Sequence, residues 1–141
     1  MKIIVVDDSK LLIESIKRLF NTQTTDKHEF LDVLVSNDTP LSNVISKILE
    51  FKYDIIFMDD NLATYYTGKD ITEKLEQLDE INFDKNKFIG TYGLSRQEYC
   101  GHQWYGKTIW EKPSGKQASL FLLFKILEKI KVINDTNFSI H

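Results

Sequence analysis

The sequence predicts an α/β fold: a five-stranded, doubly wound parallel sheet in strand order 2-1-3-4-5, with five helices packed on its two faces. Three observations carry this. Short, continuous apolar runs rich in β-branched residues, Ile3-Ile4-Val5-Val6 and Ile55-Ile56-Phe57-Met58, read as strands buried on both faces. Segments of helical periodicity alternate with the strand-like runs, and parallel neighbours require such crossovers. Both apolar runs stop at paired acids, Asp7-Asp8 and Asp59-Asp60, which places four carboxylates at the carboxyl ends of strands.

Taken in order, residues 2–6 form the first strand. From Ser9, a suitable N-cap, Leu12, Ile16, Leu19 and Phe20 recur at helical spacing and leave Glu14, Lys17 and Arg18 for the outer face. A second strand spans Phe30–Val35. Thr39-Pro40 supplies a cap and a first-turn proline for the second helix, whose apolar stripe is Leu41, Val44, Ile45, Ile48 and Leu49. The third strand, 55–58, is followed by a polar loop through Gly68 and a third helix marked by Ile71, Leu75 and Leu78. Phe88-Ile89-Gly90-Thr91 reads as strand four and Thr108–Glu111 as strand five, with a weakly patterned helix within 95–103 between them. Beyond Pro113, Leu120, Leu123, Phe124, Leu127 and Ile130 make the closing helix. The organisation is one domain over 1–133 and a polar tail over 134–141, in the flavodoxin-like arrangement.

Bulk properties narrow the function. At 141 residues the chain suits a single core and leaves no room for a fused output domain. A composition 42% hydrophobic and 28% charged is that of an ordinary globular protein, and a net charge of -3 lacks the basic footprint of nucleic-acid binding. A single cysteine, Cys100, excludes an intramolecular disulfide framework and fits a reducing cytoplasm. No apolar run approaches a membrane-spanning length, so no membrane insertion is expected. His28, His102 and His141 are too scattered for a zinc site.

Doubly wound sheets bind ligands beyond the carboxyl ends of their strands, at the point where the order reverses. Asp7, Asp8 and Asp59 converge there on paper, and such crowded like charge calls for a cation. Oxygen-only ligands favour a hard ion, and an open cup with room for water and phosphate oxygens suits Mg²⁺. Lys112, ending strand five, and Thr91, ending strand four, would add a positive charge and a hydroxyl over the same edge. A carboxylate nucleophile, a divalent cation, a lysine and a hydroxyl are the parts needed to receive a phosphoryl group.

With those residues in view, the chain resembles the response-regulator receiver domains of two-component signalling, of the stand-alone chemotaxis type, over essentially its whole length. The motifs that carry the resemblance are IIVVDDS at 3–9, YDIIFMDDNLA at 53–63, FIGTYG at 88–93 and EKPS at 111–114. The resemblance implies Asp59 as phosphoacceptor, Asp8 as a direct Mg²⁺ ligand, Asp7 as a second acid acting through water, and Asn61 as a ligand through its backbone carbonyl. It implies Lys112 as the partner of the phosphoryl oxygens and Thr91 as the hydroxyl that carries the signal outward. Sliding the strand-four motif by one place would give that hydroxyl position to Tyr92. The chain departs from the family's usual pattern at Ala63, where proline is common, in a loop longer by about one residue, and at Ile109, where many receivers carry an aromatic.

The implied partners are a histidine kinase or phosphotransfer protein upstream and a target protein reached through the 93–110 segment and the last helix. On this reading the chain is not an enzyme beyond catalysing its own aspartyl phosphorylation and dephosphorylation. Two other functions compete. One is a degenerate receiver that docks partners without phosphorylation, which the longer loop and Ile109 favour and the retained acids and lysine oppose. The other is a Mg²⁺-dependent phosphatase of the haloacid dehalogenase type, which would need its Asp-x-Asp motif on the first strand, where this chain has Asp7-Asp8-Ser9.

Overall fold

The computed structural model describes residues 1–23, 27–62, 64–92 and 108–111. Within them the chain runs β1 (Lys2–Asp7), α1 (Lys10–Gln23), β2 (Glu29–Leu34), α2 (Leu41–Phe51), β3 (Ile55–Asp59), α3 (Gly68–Leu78), β4 (Phe88–Tyr92) and β5 (Thr108–Glu111). The strands form one parallel sheet in the order β2-β1-β3-β4-β5. The helices expected within 95–103 and after Pro113, and the polar tail, lie outside the described residues.

The register explains why the central strands read as unbroken apolar runs. Ile4 pairs with Ile56 and Ile56 with Phe88, so Ile4, Val6, Ile56, Met58 and Phe88 share one face. That face packs on Val44, Ile45 and Ile48 of α2 and Ile71 and Leu75 of α3. The alternate residues Ile3, Val5, Ile55, Phe57 and Ile89 are buried on the other face. There Phe20 of α1 meets Phe57 and Phe30 edge-on, with ring centroids 5.9 and 6.1 Å apart.

Helix α1 starts as its sequence indicates, with the Leu12 N–H donating to Ser9 Oγ at 3.4 Å. Its buried stripe runs through Ile13, Ile16 and Phe20. Lys17, expected on the outer face, instead bonds Asp32 of β2 at 2.9 Å and lies over the Phe30 ring. Helix α2 corrects the expectation at its start: Pro40, not Thr39, occupies the capping position, with extended backbone and no side-chain cap bond. Thr39 Oγ1 is spent on the Ser36 N–H, at 2.9 Å. Tyr65 supplies the missing acceptor, its hydroxyl taking the Leu41 N–H at 3.3 Å.

The loop between β3 and α3 is less polar inside than its sequence reads. Leu62 and Tyr66 are buried in the α2–α3 core, and the Tyr66 hydroxyl donates to the Thr39 carbonyl at 2.7 Å. The loop that follows Asp59 is therefore tied to the loop that precedes α2.

Candidate functional site

The carboxyl ends of β1 and β3 lie side by side, and the period-two alternation of each strand decides which acids meet. Val5 pairs with Phe57, so Asp7 and Asp59, two residues further on, point to the same side of the sheet. Asp8 follows the end of β1 and is exposed, whereas Asp7 and Asp59 are only 1% and 2% exposed. Each of the three offers a carboxylate oxygen, and these oxygens all lie within 4.8 Å of one another.

Backbone amides shape the cup. The Ser9 N–H donates to Asp7 Oδ1 at 2.9 Å, which holds the turn into α1 against the acid. The Asn61 N–H donates to Asp59 Oδ1 at 3.3 Å, which curls the loop after β3 back over its own strand end. The Asp7 carbonyl accepts from the Val35 N–H at 2.9 Å, extending the sheet pairing to the end of β1.

Thr91 is buried and stands opposite Asp59 in the β3–β4 register, while Trp110 of β5 stands opposite Thr91. The register thus sets Thr91, rather than Tyr92, level with Asp59. Asn61 is exposed directly after the acid pair. Lys112 lies outside the described residues, as do residues 93–107 of the 93–110 segment assigned to a partner surface.

The donor set fits a hard divalent cation. It consists of carboxylate oxygens without a His or Cys ligand among the described residues, two of them on buried residues and one on an exposed residue, so the set is open to solvent on the Asp8 side. Like charge this close is costly in the absence of a counter-ion.

Sequence reasoning missed the role of Asp60. It is only 5% exposed, and its Oδ1 accepts from the Lys69 N–H at 3.1 Å while its carbonyl accepts from the Gly68 N–H at 3.1 Å. No short-range pattern announces a cap supplied from eight residues upstream. The local half of the same helix start was readable: Thr67-Gly68-Lys69-Asp70 is a capping box, with the Asp70 N–H on Thr67 Oγ1 at 3.1 Å and the Thr67 N–H on Asp70 Oδ2 at 2.9 Å.

No protein-family model and no curated protein sequence matches the chain. Solved structures do match. The chemotaxis protein CheY4 of Vibrio cholerae aligns with 89% of this chain and 98% of its own, at a TM-score of 0.62 and 19% identity. A CheY-like response regulator receiver domain protein from Methanospirillum hungatei covers 92% of this chain and 93% of its own, at 0.64 and 21%. The receiver domain of the Francisella response regulator 1452 covers 92% and 96%, at 0.62 and 20%. The chain has the fold of response-regulator receiver domains.

Proposed function

We propose that this chain is a receiver of two-component signal transduction, in which Asp59 takes a phosphoryl group from the phosphohistidine of a histidine kinase or phosphotransfer protein. The observation that carries the reading is the meeting of Asp7, Asp8 and Asp59 oxygens within 4.8 Å at the switch point of a receiver fold, with Thr91 level with the acceptor.

In the transfer, an Asp59 carboxylate oxygen attacks phosphorus, the P–N bond to the donor imidazole breaks, and the imidazole nitrogen leaves with the bonding pair and takes up a proton. Asp7, Asp8, Asp59 and the Asn61 carbonyl would hold Mg²⁺. When bound, that ion supplies the positive charge that lets an anionic phosphoryl group approach a cluster of anions. Lys112 and the Thr91 hydroxyl then hold the phosphoryl oxygens. The burial of Asp7 and Asp59 keeps their oxygens in place before the donor arrives, so little reorganisation is needed during transfer. The signal passes to a target protein through the 93–110 segment and the closing helix expected from the sequence, and the chain turns over no substrate beyond its own phosphoryl group.

Incubation with acetyl phosphate or phosphoramidate and Mg²⁺, followed by intact-mass measurement, tests the reading. Wild type is expected to gain one phosphoryl mass and Asp59→Asn none. Equal labelling of the two proteins would remove Asp59 from its role.

A further inference from the structure

We infer that Asp60 is a positioning residue for the neighbouring acidic site, acting by clamping the start of α3 to the end of β3. The inference rests on the reading of that site as one for Mg²⁺ and a phosphoryl group, and it assigns the geometry of the cation-binding loop to a residue that touches neither.

The first three N–H groups of α3 have no partners within the helix. Two of them are taken by Asp60: Gly68 N–H by its carbonyl and Lys69 N–H by its carboxylate, each at 3.1 Å. The third, on Asp70, goes to Thr67 Oγ1. Asp60 therefore ties the end of β3 directly to the start of α3, held to Asp59 through the chain and to Gly68 and Lys69 through hydrogen bonds. Asn61, whose carbonyl would be a ligand of the cation, directly follows this tie, and its own N–H is held by Asp59 Oδ1.

The clamp is also sterically tight. A Cβ on Gly68 would overlap the Asp59 carbonyl oxygen, so α3 begins in direct contact with the residue that bears the acceptor. A carboxylate at a helix N-terminus is favoured by the helix dipole, which makes Asp60 a natural occupant of this place. Asp60 is itself buried, at 5% exposure, so shortening its side chain leaves a gap beside the Lys69 N–H. Loss of the carboxylate frees the Lys69 N–H and loosens the tie between β3 and α3, and the Asn61 carbonyl moves with it. Residues that orient metal ligands in this indirect way typically change metal affinity by about 10–100-fold when removed.

The test is a Mg²⁺ titration of the full chain followed by amide NMR shifts, run well below the melting point of each variant so that affinity is read per folded molecule. Asp60→Ala is expected to weaken Mg²⁺ binding at least about tenfold and to speed hydrogen exchange at Lys69. Asp60→Asn, whose amide oxygen still accepts from Lys69, is expected to stay within about threefold of wild type. Thr67→Ala removes the other half of the cap and serves as the control: it should lower stability yet leave Mg²⁺ affinity within about twofold. Should Asp60→Ala not fold, Asp60→Glu, which keeps the charge and displaces the oxygen by one methylene, is expected to weaken binding several-fold. Wild-type affinity in Asp60→Ala or Asp60→Glu, or an equal loss in Thr67→Ala, overturns the inference while leaving the receiver reading intact. A wild type that binds no Mg²⁺ overturns both.

Discussion

At Gly68 the first turn of α3 lies so close to the end of β3 that a Cβ would overlap the Asp59 carbonyl oxygen and come within 2.9 Å of Met58 Cγ. Both neighbours are buried and one is backbone, so neither can step aside cheaply. Gly68→Ala is expected to destabilise by about 1–3 kcal/mol in denaturant titration despite alanine's better helix propensity, and a variant as stable as wild type would show that α3 moves freely. At the other end of α3, burial raises the pKa of the Tyr53 phenol, and the charges of Asp79 and Asp84 add to the effect. A folded-state pKa above the unfolded value means stability fully present below about pH 10 and lost as pH climbs toward the folded pKa. Wild type should therefore lose stability faster than Tyr53→Phe above about pH 10, and parallel curves for the two proteins would contradict it. Individual residues are also where the sequence was least legible. Strand alternation turns Asp60 away from Asp59, but only the fold shows that its carboxylate meets the start of α3. Tyr65 and Tyr66 read as members of a polar loop, because nothing local records hydroxyls that bond backbone 24 and 27 residues away.

Elements were easier to read than residues because their signals are periodic. The β1 and β3 runs are buried on both faces, as unbroken Ile and Val stretches imply, and α3 buries Ile71 and Leu75 at helical spacing. Where periodicity misled, the cause was an edge: Leu49 and Leu78 fit the apolar stripes of α2 and α3 yet are 40% and 55% exposed. The capping box of α3 permits a direct check at this scale. Thr67→Ala is expected to cost about 1 kcal/mol, and Thr67→Ser to recover most of it, by thermal or chemical melts; an unchanged midpoint in Thr67→Ala would mean that Asp60 alone suffices as a cap.

For the whole molecule, the strand ends that a sequence reader can pair on paper are those the sheet brings together, because a doubly wound order leaves β1 and β3 as neighbours. The convergence of Asp7, Asp8 and Asp59, and the place of Thr91 opposite Asp59, were legible for that reason. The cost of such a site is repulsion in the metal-free protein. Asp8→Asn is expected to raise metal-free stability by up to about 1 kcal/mol, to lose that advantage in high salt, and to abolish Mg²⁺ binding. A metal-free variant clearly less stable than wild type would argue against a crowded acidic cup. The direct measurement of the central claim is the position of the phosphoryl group itself. Phosphorylated wild type is reduced with borohydride, which converts an aspartyl phosphate to homoserine, and is then digested and mapped by peptide mass. Homoserine at position 59, with Asp7, Asp8 and Asp60 unchanged, is the expected result; homoserine at any of those three instead, or at none of the four, would contradict it.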